Sequence, residues 1–147
     1  MEQRLTFVTL GVTDLDAARA FYVGGLGWTP LLDAGEVVFV QVGPGLVLSL
    51  YGRADLAREA GTAAGPVEPP PLSLAHNVGS EQEVDAVVEQ MRAAGGQVVA
   101  APARASWGGY TAYVADPDGF RWEIAYNPGL TVAPDGTVRI GPVDIPE

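Results

Sequence analysis

Leu5-Thr6-Phe7-Val8-Thr9-Leu10-Gly11-Val12-Thr13-Asp14-Leu15-Asp16, continuing to Phe21-Tyr22, changes its period part-way along. Up to Val12 the residues alternate and are rich in β-formers, which predicts a strand. Thr13-Asp14-Leu15-Asp16 then supplies an N-cap with an acid three residues on. Leu15, Ala18, Phe21 and Tyr22 recur at helical spacing, and Gly24-Gly25 ends the helix. Three short strands follow at Trp28–Leu32, Val37–Val42 and Leu46–Tyr51, divided by turns at Asp33-Ala34-Gly35 and Gly43-Pro44-Gly45.

The same order returns further along. Ser73 to Val78 reads as a strand, and Ser80-Glu81-Gln82-Glu83 as a capping box. Val84, Val87, Val88 and Met91 form the apolar face of a helix that stops at Gly95-Gly96. Strands at Gln97–Ala101, Tyr110–Ala115 and Arg121–Tyr126 complete the set, with Asp116-Pro117-Asp118-Gly119 as a turn. The copies superpose at an offset of 66 at the first strand (Val12 on Val78) and of 74 at the last (Gly45 on Gly119). An eight-residue insertion around Pro102–Gly109 accounts for the difference. The chain is therefore expected to be one α+β domain of two βαβββ repeats, about residues 4–52 and 72–127. A Pro/Gly-rich linker, 53–71, joins them, with Asp55–Glu59 as a short helical turn. A terminal hairpin, 128–147, turns at Pro134-Asp135-Gly136.

Composition excludes several classes of function. The chain has 147 residues and 48% hydrophobic content, enough for a core. It has no cysteine, hence no disulfide and no thiolate. Its eight basic residues are all arginine against 18 acids, a net charge of −10, which disfavours nucleic acid and anionic membranes. No apolar run is long enough to span a bilayer and no signal-peptide layout opens the chain, so a cytoplasmic location is expected. No glycine loop ends in Lys-Ser/Thr, and the single histidine has no Ser/Asp partners in sequence order. Asp116-Pro117-Asp118-Gly119 looks like the start of a calcium loop but lacks the remaining ligands.

Gly11-Val12-Thr13-Asp14-Leu15 leading to Phe21-Tyr22, Leu26-Gly27-Trp28, Trp107-Gly108-Gly109-Tyr110 and Asp116-Pro117-Asp118-Gly119-Phe120-Arg121-Trp122-Glu123 resemble the vicinal oxygen chelate superfamily. That superfamily includes glyoxalase I, extradiol dioxygenases and the fosfomycin- and bleomycin-resistance proteins. The resemblance covers about residues 4–128. It implies curved mixed sheets, one per repeat, around an open cavity, and a homodimer. In metal-dependent members the ligands come from the first and last strands of each repeat. Carried over, those places are Phe7, Ser49, Ser73 and Glu123. Only Glu123 is a credible ligand for a divalent ion, since Phe7 cannot coordinate and neutral serines are poor donors. No metal or other cofactor is therefore expected.

Strand alternation puts Glu123 with Phe7, Thr9, Ser49, Ser73 and Asn77 on the cavity side. A carboxylate on a half-apolar wall suits proton abstraction, or it can pair with a bound cation or with Arg121 or Arg104. Alternation turns His76 the other way, toward the helix layer, as a packed or hydrogen-bonded residue. Trp107 and Tyr110, in and beside the insertion, either stack on a flat or cationic ligand or pin the loop to the core. The candidate ligand-binding residues are thus Phe7, Thr9, Ser49, Ser73, Asn77, Trp107, Tyr110, Arg121 and Glu123, with Glu123 the candidate catalytic group. The expected function is metal-free binding of an aromatic or cationic small molecule, similar to that of antibiotic-resistance proteins. The alternatives are a lyase or isomerase with Glu123 as base, and a dimeric interaction protein with a vestigial cavity.

Overall fold

The structure, a computed structural model, describes residues 1–63, 65 and 70–143; part of the expected linker (64 and 66–69) and the last four residues lie outside it. The chain divides into two compact units, residues 1–68 and 69–147.

In the first unit, β1 (Phe7–Val12) leads into α1 (Leu15–Arg19), and β2 (Leu32–Asp33), β3 (Val37–Gly43) and β4 (Leu46–Gly52) follow. The sheet order is β1-β4-β3-β2, with β1 parallel to β4 and the other pairs antiparallel. Asp14 caps α1: its carboxylate accepts from the backbone N–H of Asp16 and Ala17 at 2.9 and 3.0 Å. Alternation sends Leu10 and Val12 of β1, Val38 and Val40 of β3, and Leu48 and Leu50 of β4 to one face. There they are buried, as are Ala18, Phe21 and Tyr22 of the helical segment.

One expected strand contracts. Trp28–Leu32 is not a strand; pairing begins at Leu31, whose N–H reaches the Phe39 carbonyl, and β2 is only Leu32–Asp33. After Arg19 the helix widens into a π-helical stretch, Ala20–Gly25, closed by the Leu26 N–H on the Phe21 carbonyl. The Trp28 N–H then reaches back to the Tyr22 carbonyl at 3.1 Å, and the two rings lie 5.3 Å apart. Gly27, at φ +73°, makes the reversal possible. Trp28 therefore closes the helix instead of starting a strand.

A second helix, α2 (Arg53–Glu59), occupies the first seven residues of the expected linker. It packs on β1 and β4. A Cβ on Gly11 would lie 3.1 Å from Leu56 Cδ2 and 3.3 Å from Arg53 Cα, so glycine lets α2 approach β1.

The second unit repeats the plan: β5 (Ser73–Asn77), α3 (Glu81–Ala93), β6 (Gln97–Arg104), β7 (Tyr110–Ala115) and β8 (Arg121–Tyr126). Its order is β5-β8-β7-β6, again with the first and last strands parallel. The Ser80 hydroxyl accepts from the Glu83 N–H, while the Glu83 carboxylate accepts from the Gly79 N–H at 2.9 Å, one residue before the usual partner of a capping box. Val84, Val88 and Met91 of α3 are buried, and so are Ala112, Val114, Trp122 and Ile124 on the sheet face toward it. The insertion mostly lengthens β6, which runs to Arg104 instead of Ala101 and absorbs register shifts between Val98 and Ala103. The terminal hairpin forms from β9 (Leu130–Val132) and β10 (Val138–Ile140).

The two offsets survive as register. Thr9 stands opposite Ser49, and Ala75 opposite Glu123; Phe39 stands opposite Ser49, and Tyr113 opposite Glu123. Gly96 shows how tightly helix and sheet meet: an added Cβ would sit 2.9 Å from both the Met91 carbonyl oxygen and Val114 Cγ1. Gly96→Ala is expected to cost about 1–3 kcal/mol in denaturant unfolding. Gly24→Ala, whose Cβ meets nothing within 4 Å, should fall within about 0.5 kcal/mol of the parent.

Candidate functional site

α3 covers one face of the second sheet and leaves the other to polar and small residues. On β8 the residues on that other face are Arg121, Glu123 and Ala125; the register sets Ser73, Ala75 and Asn77 beside them from β5, and Ala115, Tyr113 and Thr111 from β7. Glu123 is half-buried at the centre of this group. Tyr113 stands opposite Glu123 across the β7–β8 pair, and its phenol interacts with the Glu123 carboxylate. Among the described residues Glu123 enters no ion pair. Arg121, also half-buried, turns its guanidinium back to donate to the Gly119 carbonyl at 3.3 Å.

Two expectations about this region are corrected. Tyr110 belongs to the helix-side face, and its hydroxyl donates to the Asp85 carboxylate of α3 at 3.0 Å. The residue on Glu123's face is Tyr113. Neither arginine suggested as a partner pairs with Glu123, because Arg104 bridges to Glu81 of α3 at 3.2 Å and Arg121 turns to Gly119. His76 does lie on the helix-side face, opposite Ile124, but it is exposed instead of packed, since β5 is the edge strand. Trp107 is at the β6–β7 tip, where the Ala105 N–H reaches the Gly109 carbonyl. Its ring covers Gly109 so closely that a Cβ there would lie 1.9 Å from a ring carbon, yet it stays 39% exposed. Glycine at 109 is thus the seat of the indole.

Asp116, 5% exposed, anchors the turn before β8. Its carboxylate accepts from the N–H groups of Asp118 and Phe120 at 3.0 and 2.9 Å, which occupies it as a turn residue. The turn fixes the β7–β8 register and so brings Tyr113 opposite Glu123.

In the first unit Phe7 and Thr9 of β1 share a face with Ser49 of β4 and Phe39 of β3. Phe7 and Phe39 meet edge to face across β4, with centroids 5.7 Å apart. Ser49 is only 3% exposed. This face is aromatic where its counterpart carries a carboxylate.

The divalent ion that the chelate-type resemblance implies finds no matching donors. Phe7 is a hydrocarbon, Ser49 and Ser73 are neutral hydroxyls, and only Glu123 is anionic. Among the described residues no group of three or more His, Asp or Glu could hold a metal. No described helix is long and apolar enough to cross a membrane.

Comparison with known proteins agrees with this geometry. The family model of the Glyoxalase/Bleomycin resistance protein/Dioxygenase superfamily matches residues 4–124. A glyoxalase-related enzyme from Fulvimarina pelagi is 40% identical, with a TM-score of 0.87 over 95% of this chain and 99% of that one. A glyoxalase/bleomycin resistance protein/dioxygenase from Nocardioides is 30% identical, at a TM-score of 0.68 over 86% of this chain and 84% of that one. Lactoylglutathione lyase from Agrobacterium tumefaciens is 25% identical, at 0.65 over 86% and 95%. No curated protein matches the sequence.

Burial, then the charge of Glu123 and the hydrogen bond to it, hold the Tyr113 phenol above its ordinary ionisation range. The folded chain therefore holds this proton more tightly than the unfolded chain does. The stabilisation is complete below the ordinary value of about 10 and is lost as pH rises through the folded value. Ring-carbon NMR of the tyrosines should show Glu123→Gln moving the Tyr113 transition down while burial keeps part of the shift. An unmoved transition would remove Glu123 as a cause.

Proposed function

The chain belongs to the glyoxalase/bleomycin resistance protein/dioxygenase superfamily, and from that premise we propose that it binds a cationic small molecule with a flat apolar body, without a metal, and sequesters it as bleomycin-resistance proteins do. The observation that carries this reading is Glu123. It is a half-buried carboxylate at the centre of a strand face, opposite Tyr113 and, among the described residues, paired with no cation. Desolvating a lone carboxylate is costly, and a ligand cation offsets that cost with a charge-assisted hydrogen bond. Ser73 and Ala75 on the neighbouring strand are short and exposed, so the approach from that side is open. The net charge of −10 favours cationic ligands at long range.

Tryptophan fluorescence should fall on titration with members of a panel of cationic polycyclic natural products. Trp107 is partly exposed, and Trp122, next to Glu123 in β8, reports from the buried opposite face of the same strand. Glu123→Gln should weaken binding roughly 10- to 100-fold, the worth of a charged hydrogen bond of about 1.5–3 kcal/mol, with the unfolding midpoint unchanged. No quenching by any member of the panel would count decisively against the reading.

One observation favours a second reading, a lyase or isomerase that works without metal. The Tyr113 hydroxyl beside Glu123 places a proton donor next to a carboxylate, the pairing needed to remove a proton at one atom and return it at another. Relatives named as a glyoxalase-related enzyme and a lactoylglutathione lyase keep this reading open. It requires Glu123→Gln to abolish turnover while binding of substrate persists. Undiminished turnover in that variant eliminates the enzyme reading.

A further inference from the structure

We infer that the ligand of this face is a zwitterion, with Glu123 taking its cationic group and Arg121, the next position on the same face of β8, taking an anionic group. The inference rests on Glu123 as the cation anchor and adds a second requirement to it.

Arg121 and Glu123 are two residues apart on one strand. Their side chains leave the same face, with Cα atoms about 6.6 Å apart at a rise of about 3.3 Å per residue. Opposite charges at that spacing ordinarily bend together. Here each is held away from the other. The Arg121 guanidinium turns back to the Gly119 carbonyl, which precedes it in the chain, whereas Glu123 has Tyr113 of β7 as its cross-strand neighbour. Neither enters an ion pair among the described residues, although both are half-buried.

A single carbonyl at 3.3 Å leaves most of the guanidinium's five donors unused. It can therefore offer a fork to a carboxylate or phosphonate without releasing a protein partner. The side chains flanking the pair are small: Ser73 and Ala115 stand opposite Arg121, and Ala75 stands opposite Glu123 on the β5 side. Ser73 adds a neutral hydroxyl next to Arg121, where it can donate to the same anion. A pure cation would satisfy Glu123 and bring like charge near the guanidinium. A ligand that carries both charges a few ångströms apart satisfies both residues.

The test is calorimetric titration of the full chain at low salt with three rigid probes that share one ring: 4-(aminomethyl)benzoate, 4-methylbenzylamine and 1,4-bis(aminomethyl)benzene. The zwitterionic aminomethylbenzoate should bind at least tenfold tighter than the methylbenzylamine. Arg121→Gln should bring it down to the affinity of the amine, and Arg121→Lys should keep most of the advantage. Arg121→Glu should transfer the preference to the diamine. Equal binding of zwitterion and amine to the parent chain overturns the inference and leaves Glu123 as a cation anchor. An advantage that survives both Arg121→Gln and Arg121→Glu also overturns it. Binding of neither the amine nor the zwitterion overturns the cation-anchor reading itself, and this inference with it.

Discussion

Everything in either unit depends on one pairing: the first strand of the repeat lies parallel to the last, β1 beside β4 and β5 beside β8. A parallel neighbour cannot be reached by a tight turn, so the chain must cross over the sheet, and a helix makes the crossing. That helix takes one face. Leu10, Val12, Leu48 and Leu50 in the first unit, and Trp122 and Ile124 in the second, bury themselves beneath it. The opposite face is left without a covering helix along most of its length. Chemistry can collect only there, and it collects where the parallel pair sets the first and last strands side by side.

Because both units obey the same pairing, they offer the same lattice of positions and fill it differently. The place held by Glu123 in one is held by Ser49 in the other; Tyr113 corresponds to Phe39, and Ser73 to Phe7. Where a carboxylate faces outward, a phenol supplies a hydrogen bond to it. Where the neighbours are Phe7 and Phe39, the central residue has shrunk to a buried serine and the rings close over the strand. The pairs of residues have changed together, which is what packing and hydrogen-bond satisfaction demand of strand neighbours. A further asymmetry is the hairpin arm. β6 is eight residues long against two in β2, and its length is what carries Trp107 out to the tip.

The repeat and the face taken by each strand residue were legible because they rest on period-two alternation and on turn chemistry, both local; the parallel pairing of first and last strands is not local and came only with the structure. Glu123 was readable from the glycine four residues before it. Tyr113 follows from the turn once Asp116 is known to pair with Phe120 across it: three residues back from Asp116 and three on from Phe120 bring Tyr113 opposite Glu123. What local rules could not supply was competition between elements. Trp28 has a strand-like neighbourhood, but Tyr22 recruits it through a hydrogen bond and a ring contact six residues back. Tyr110 sits beside the Trp-Gly-Gly loop in sequence, yet strand alternation commits it to Asp85 on the helix side. The widening of α1 into a π-helical turn had no sequence signal beyond Gly24-Gly25, which suit an ordinary stop equally well.

Charge acts on this face at two ranges, and they oppose each other for half of a ligand. The net charge of −10 draws cations and repels anions over distances set by a Debye length of about 8 Å at physiological salt. An anionic group therefore gains nothing on approach. It gains at contact, where a half-buried guanidinium with unused donors is only weakly screened. For the proposed zwitterion, the field of the whole chain would thus govern the encounter through the cation and Glu123, while Arg121 would act only after arrival. Added salt should then slow association far more than it hastens release, because the contact between a half-buried fork and its anion is screened less than the approach of the cation.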